Sequence, residues 1–183
     1  MKHMRAHPPT SRERHGYSLV ELMVVVVIIG VLATVAIPSF IGYLHKSKTS
    51  EAISFLAAIK QRQAAYYAEM GQYCDVSGTQ DNWFPAGTPD SNQMTWASAP
   101  TEWLMLGASP DSPAVYFQYS SVAGLAGTTP ADGGFSDDRG YTGTNFWFVS
   151  SARGDLNGDG EFVTFESYSG SADLYISKAR GWD

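Results

Sequence analysis

The feature that most constrains this chain is an uncharged run of 23 residues, Leu22–Leu44, close to its N-terminus. The first sixteen residues of the run are almost all Val, Ile, Leu, Met or Ala. A helix of this length extends about 35 Å, enough to cross a hydrocarbon core of about 30 Å. The run therefore predicts a membrane-spanning helix, and we assign residues 17–48 to this segment.

Charge is distributed unevenly along the 183 residues. Residues 1–16 contain four basic residues and one acidic residue, a net charge of +3, whereas residues 17–183 contain eight basic and 17 acidic residues, a net charge of −9. The heavier cationic flank precedes the apolar run, which predicts a cytoplasmic N-terminus and an exported C-terminus. The acidic body lacks the excess of cations that phosphate binding requires, so we expect no direct nucleic-acid binding by it. The single cysteine, Cys74, excludes an intrachain disulfide.

The position of the best small-residue cleavage site distinguishes this segment from an ordinary secretory signal. That site, Gly16, lies before the apolar run and not after it. Cleavage there would leave the apolar segment on the mature chain and create a free amine on Tyr17. Glu21 follows four residues later, and a carboxylate within a membrane helix costs several kcal/mol unless it is paired. Two interpretations stand: Glu21 extends to the lipid headgroups, or it pairs with the Tyr17 amine of a neighbouring chain and so sets the register of assembly.

The residues around this site resemble a known family. Residues 14–48, with Gly16 before the cut, Glu21 five places after it and Pro38 further on, are similar to the class III signal of type IV pilins. Tyr17 stands where phenylalanine is usual in that family. The resemblance implies cleavage by a prepilin peptidase after Gly16, N-methylation of Tyr17 and polymerisation through the N-terminal helix, with Glu21 neutralising a neighbour's N-terminus.

The helical pattern continues beyond the apolar run. Apolar side chains recur mostly at spacings of three, four or seven residues, as in an amphipathic helix. They are Ile53, Phe55, Leu56, Ile59, Tyr66, Tyr67 and Met70. Gly71 is expected to be the C-cap, so the sequence predicts one helix from about Tyr17 to about Met70.

Two residues weaken this helix. Pro38 lacks an N–H group, and Gly30 adds backbone freedom. Membrane helices commonly tolerate both residue types. The alternative, which the family resemblance favours, is that residues 30–38 unwind when the subunit leaves the bilayer for a fibre.

The remaining sequence predicts a β domain. Residues 71–114 are rich in Gly, Pro, Ser and Asn and indicate an irregular region anchored by aromatic side chains, namely Trp83, Phe84, Trp96 and Trp103. Residues 122–143 are also expected to form loops. The predicted strands are Val115–Tyr119, Asn145–Ala152, Glu161–Tyr168 and Ala172–Ser177. We therefore predict an α+β fold, in which a long N-terminal helix packs on an antiparallel sheet (residues 115–183) within a globular domain of residues 49–183.

One loop carries a candidate metal site. Asp155, Asn157 and Asp159 alternate around a glycine, and Glu161 and Glu166 follow, a spacing similar to EF-hand calcium loops. The flanks are strand-like, so an EF-hand is not predicted. If the second strand begins at once, Glu166 lies too far along it, and the carbonyl of Glu161 with an acid from another loop (Asp137, Asp138 or Asp173) would complete the site. The other interpretation is a metal-free hairpin turn, which Asn-Gly and Asp-Gly also favour.

Neither a Ser/His/Asp set nor a phosphate loop nor zinc spacing occurs, so we expect a structural protein and not an enzyme.

The resemblance implies a pilin-like subunit of a surface filament that serves adhesion, twitching motility or DNA uptake. The alternatives are a pseudopilin of a type II secretion system and a monomeric, membrane-anchored calcium-binding domain. Implied partners are further copies of the chain, a prepilin peptidase/methyltransferase, and an inner-membrane assembly platform with its ATPases. The precursor would cross the inner membrane once, and the mature subunit would be in an extracellular pilus.

Overall fold

The computed structural model describes residues 16–128 and 144–177. Contacts between residues divide the chain into two compact units, with the boundary between Phe40 and Ile41. The first unit contributes the start of the long helix. The second unit contains the rest of that helix and the β domain.

Helix α1 comprises Leu19–Met70, 52 residues. It begins two residues after the predicted start and ends where the sequence predicts. Gly71 adopts a left-handed conformation with a φ of 73°, and its N–H donates to the carbonyl of Tyr67 at 2.9 Å. The expectation that Gly71 caps the helix is therefore confirmed. Pro38 lies inside the helix.

The buried face of α1 differs from the predicted apolar stripe. Phe55, Leu56 and Ile59 are buried as expected, but the predicted members Ile53, Tyr67 and Met70 are exposed. The face that the sheet covers instead follows the helical spacing of Thr49, Ala52, Leu56, Ile59 and Gln63. Small and polar residues therefore occupy buried positions that a hydrophobic pattern does not reveal.

The β domain contains a four-stranded antiparallel sheet and a separate two-stranded ribbon. The ribbon pairs β1 (Met94–Thr95) with β2 (Ala114–Val115). The sheet has the order β3-β4-β5-β6, with β3 at Gln118–Gly124, β4 at Trp147–Gly154, β5 at Val163–Tyr168 and β6 at Tyr175–Ile176. The predicted antiparallel meander and the α+β fold class are confirmed.

The first predicted strand is wrong in its extent. Val115 belongs to β2, and β3 continues to Gly124, into a stretch expected to form a loop. The reason is a second packed cluster, in which Val122, Trp147 and Val149 are buried with Tyr168 beside them. Because alternate strand residues face opposite sides of a sheet, Val122 gives β3 an apolar side chain on the second face.

The region from 71 to 114 is held by aromatic side chains, as expected. Phe55 of α1 contacts Trp96 at a ring-centroid distance of 5.3 Å and Tyr119 of β3 at 4.6 Å. Trp96 also contacts Phe84 at 4.7 Å and Trp103 at 5.2 Å. This cluster joins the irregular region to the helix and the sheet.

This region also contains a short helix that the sequence analysis did not predict, α2 at Thr101–Leu106. Trp103 and Leu106, three residues apart, are its buried side chains. Gly107 ends it with a φ of 66° and donates its N–H to the carbonyl of Leu104 at 3.1 Å. Local burial of two side chains thus accompanies a short helix within a glycine- and proline-rich stretch.

Candidate assembly site

The N-terminus of α1 is closed by a reciprocal cap between Ser18 and Glu21. The carbonyl of Ser18 accepts the first intrahelical hydrogen bond from Leu22 at 3.2 Å, which makes Ser18 the N-cap residue. The Ser18 hydroxyl accepts from the Glu21 N–H at 3.2 Å. In return, Oε2 of Glu21 accepts from the Ser18 N–H at 3.2 Å and from its hydroxyl at 3.3 Å. This arrangement is a capping box.

The cap uses one carboxylate oxygen of Glu21. Within the part of the chain that the structure describes, Oε1 of Glu21 receives no hydrogen bond. Gly16 and Tyr17, the residues of the predicted cleavage site, are exposed and precede the helix. An N–H or ammonium donor from outside the chain can therefore approach Glu21 without breaking the cap.

The surface that follows Glu21 is apolar on every side of the helix. The large apolar side chains between Leu19 and Leu44 are 45% to 73% exposed. An 18-residue stretch of this helix has a mean hydropathy of 2.9, and the described residues 16–128 and 144–177 bury none of it. The helix is long and apolar enough to cross a membrane. A helix that is hydrophobic all round requires cover from lipid or from other helices.

Gly30 and Pro38, the two predicted weak points, lie within continuous helix. A Cβ atom added to Gly30 would meet nothing within 4 Å among the described residues, so packing against them does not require this glycine. Pro38 leaves the Thr34 carbonyl without its usual helical donor. The hydroxyl of Ser39 donates to the neighbouring carbonyl of Val35 at 3.1 Å. Unwinding of residues 30–38 stays a prediction.

Residues 155–162 connect β4 to β5 and form a hairpin loop held by side-chain acceptors. The buried Asp155 accepts from the N–H groups of Gly158 at 2.7 Å and Gly160 at 2.9 Å, one on each carboxylate oxygen. Both glycines have positive φ, 79° and 86°, which favours glycine at these turn positions. The loop is thus closed by hydrogen bonds between Asp155 and the backbone.

Asn157, Asp159 and Glu161 lie on the outer side of this loop. Asp159 accepts from the amide of Asn157 at 2.7 Å and from the N–H of Glu161 at 2.8 Å. These bonds lower the pKa of the exposed Asp159 carboxyl, the bond from Glu161 most strongly. Hydrogen bonding of this kind offsets the repulsion expected among the closely spaced acids.

The structure does not bring Glu166 to this loop. Glu166 lies within β5, opposite Ser151 and Tyr175, and is buried. Asp155 follows the Gly154–Val163 pair, so the two acids are separated by about 13 Å along the strands. Asp173 is exposed, whereas Asp137 and Asp138 lie outside the described residues. Within residues 16–128 and 144–177, no group of three or more His, Cys, Asp or Glu side chains could hold a metal. Calcium binding stays a prediction.

Two polar contacts that join α1 to the β domain were not predicted. Gln63 is fully buried, and its amide pairs with both the N–H of Cys74 at 2.8 Å and the carbonyl of Cys74 at 2.7 Å. Glu51 accepts from the N–H groups of Tyr116 and Phe117. Neither contact has a local sequence signal, since both join residues distant in the chain.

Comparisons with known proteins agree with this geometry over the N-terminal part of the chain. Residues 11–37 match the sequence profile described as the prokaryotic N-terminal methylation motif. The type IV major pilin protein PilA of Myxococcus xanthus is 47% identical over 62 residues, which are 34% of this chain and 28% of that protein. The fimbrial protein EcpC of Eikenella corrodens is 39% identical over 56 residues, 31% of this chain and 37% of EcpC.

A fimbrial protein of Pseudomonas aeruginosa is 30% identical over 83 residues, 45% of this chain and 54% of that protein. The chain therefore spans between about a quarter and about a half of the length of these relatives. The fold and the site define an α+β protein with an exposed, apolar N-terminal helix and a methylation motif at its start. In its N-terminal segment, the chain is similar to type IV pilins and carries the prokaryotic N-terminal methylation motif.

Proposed function

We propose that this chain is a structural subunit that polymerises into a surface filament through its N-terminal helix. The observation that carries the proposal is the apolar surface of α1 between Leu19 and Leu44, which stays exposed among the residues that the structure describes. A bilayer covers this surface before assembly, and the helices of neighbouring subunits cover it in the filament. The globular unit then lies on the outside of the fibre.

Glu21 supplies the polar contact of this assembly. Removal of residues 1–16 by a prepilin peptidase leaves the Tyr17 amine, which the same enzyme methylates, near the start of the helix. The free Oε1 of Glu21 accepts this amine from a neighbouring subunit, while Oε2 keeps the cap with Ser18. In apolar surroundings an unpaired charge is heavily penalised, so only the register that pairs the two charges is stable.

The family relatives support the cellular setting of the proposal. Several carry the names type IV major pilin protein or fimbrial protein. The precursor is held in the inner membrane. The chain has no nucleotide-binding loop, so partner ATPases on an assembly platform supply the energy that extrudes the subunits. Adhesion, twitching motility and DNA uptake are the roles proposed for the filament.

The test is filament assembly in Glu21→Gln and Glu21→Ala strains, with Glu69→Gln as a matched control. Glu69 is an exposed acid near the other end of the same helix. Electron microscopy and the sheared surface fraction measure filaments, and immunoblots of membranes measure the precursor pool. We expect both Glu21 variants to accumulate in the membrane without filaments, and Glu69→Gln to assemble normally. Wild-type filaments from Glu21→Ala would refute the proposed pairing.

A strain in which this gene is deleted separates the pilus from the secretion alternative. A deletion that removes surface filaments supports the pilin. A deletion that leaves the surface filaments intact and blocks export of folded enzymes supports a pseudopilin instead.

A further inference from the structure

The globular unit has a groove beside the end of α1 that the proposed role of the N-terminal helix does not use. It encloses about 300 Å³ and lies between α1, α2 and the end of β3. We call it the α2 groove and define it by six of its lining residues: Tyr66, Tyr73, Asp75, Glu102, Met105 and Leu125. All of these belong to the unit that begins at Ile41.

The α2 groove exposes apolar side chains to solvent. Met105 is 59% exposed and Leu125 is 57% exposed, and the neighbouring Leu104 is 71% exposed. Single exposed apolar residues are common on protein surfaces, but a cluster beside a groove with a polar rim is typical of an interaction site. Apolar side chains of a partner would complement this groove.

The rim of the α2 groove is acidic, and its two acids differ in their contacts. Asp75 accepts from the N–H of Gly78 at 3.0 Å and from that of Ala123 at 3.4 Å, so it is already engaged. The Glu102 side chain is exposed and makes no hydrogen bond or ion pair among the described residues. The partner should therefore present a cation that reaches Glu102.

A segment of α1 in the same unit has the complementary character. Residues 41–46, which we call the helix collar, expose Ile41, Tyr43 and Leu44. Lys46 ends the collar, and its ammonium group has no partner within the described part of the chain. Lys48, by contrast, contacts the carbonyl of Ser91 and the ring of Tyr116. The collar thus combines three apolar side chains with one available cation.

The collar and the groove of one subunit cannot meet each other. Leu44 and Tyr66 are 22 residues apart on a single helix, a separation of about 33 Å along the axis. A contact between the two surfaces must therefore join two copies. Such a contact is heterologous, and when the rotation between copies does not close it generates a helical filament.

We propose that the α2 groove of each subunit receives the helix collar of another copy, with Lys46 placed at Glu102. This inference rests on the proposed filament function and adds a second contact between subunits, in which a neighbour's globular unit, and not another helix, covers Ile41, Tyr43 and Leu44. It assigns a role to the exposed Met105 and Leu125, which would pack on Tyr43 and Leu44 of the neighbour. Charge complementarity selects the collar as the occupant, since apolar and cationic groups occur there together.

Zero-length carbodiimide coupling of wild-type filaments tests the contact without altering the chain. The reagent joins a lysine amine to a carboxylate only where the two are in direct contact. Peptide mass spectrometry of sheared filaments should identify a Lys46–Glu102 cross-link, and the detergent-solubilised monomer should lack it. A cross-link from Lys46 to another protein, or its absence from intact filaments, would overturn the inference while leaving the filament function in place. If the wild-type chain forms no filaments at all, both proposals fail.

Charge reversal gives a second, independent test. Glu102→Lys and Lys46→Glu should each lower filament yield about tenfold, because each places like charges together. The double variant should restore the yield to within about twofold of the wild type. Lys46→Glu combined with Glu69→Lys is the matched control and should not be restored. Equal protease resistance of the solubilised variants checks that they are folded, and unchanged yields in both folded single variants would refute the contact.

Discussion

Replacing Gln63 by methionine should destabilise the globular unit strongly, although the residue is polar and lies near the C-terminal end of a long helix. Gln63 is fully buried, and its amide satisfies both the N–H and the carbonyl of Cys74. It also donates to the Ser121 hydroxyl at 3.2 Å. Methionine has a similar length and fills the space, but it offers no partner to these groups.

The expected magnitude follows from the groups left behind. Each buried backbone group without a partner costs about 1–3 kcal/mol, so the loss of both Cys74 partners gives about 4 kcal/mol. For a chain of this size, each kcal/mol lowers Tm by about 2–4 °C, which predicts a decrease of roughly 8–16 °C. The Cys74 segment also lines the α2 groove, so filament yield should fall with stability.

Urea unfolding of the detergent-solubilised chain, followed by tryptophan fluorescence, measures the change in free energy. Trp103 is buried in the same core as Cys74 and should report its loss. Gln61→Met is the matched control, since Gln61 is exposed on the same helix two residues away. It should change the free energy by less than about 0.5 kcal/mol. A similarly small effect of Gln63→Met would refute the reasoning.

Three further predictions concern other named contacts. Burial raises the pKa of the Glu51 carboxyl, so the contribution of Glu51 to the free energy of unfolding falls as pH rises. Urea unfolding at a series of pH values should therefore show Glu51→Gln gaining stability relative to the wild type between about pH 4 and pH 7. A difference in stability that is constant over this range would contradict the prediction. Ser18→Ala should destabilise the start of α1 by about 1 kcal/mol, which hydrogen exchange would measure as faster exchange of the amides of residues 19–22. Ser18→Thr should keep the cap, so equal exchange rates in the two variants would contradict the capping box. If the 155–161 loop binds calcium, added calcium should raise the Tm of the wild type and not that of Asp155→Asn. A wild-type Tm that does not change when calcium is added would reject the site.

The N-terminal half could be predicted because its signals are local. An uncharged run of sufficient length and a terminal glycine fix the extent of α1 to within two residues. Ser18 and Glu21 also carry the spacing of a capping box, which is readable from the sequence. The proposed pairing with a neighbouring amine and the observed cap use the same Glu21 carboxylate, and the sequence pattern alone does not separate the two roles.

The contacts between α1 and the β domain could not be predicted in the same way. Gln63 is buried because Cys74 and Ser121 supply its partners, and these lie 11 and 58 residues away in the chain. Ile53 is exposed because the core of the β domain packs on the other face of the helix, which contains Ala52 and Leu56. Hydrophobic periodicity records the character of each side chain but not the position of the surface that covers it.

The candidate loop shows the same limit. Asn-Gly and Asp-Gly predicted the hairpin turn between β4 and β5, because glycine is favoured at these backbone angles. The twelve-residue spacing to Glu166 belongs to a loop followed by a helix, whereas here a strand follows and carries Glu166 along the sheet. The type of the next element, which is set by tertiary packing, decides which acids can meet.

The most direct measurement is the mass of the intact subunit from sheared surface filaments, with its N-terminal peptide sequenced by tandem mass spectrometry. The account predicts a chain that lacks residues 1–16 and begins at N-methylated Tyr17, because only cleavage creates the amine that Glu21 accepts. Filaments built from subunits that still begin at Met1, or with Tyr17 not at the terminus, would contradict it.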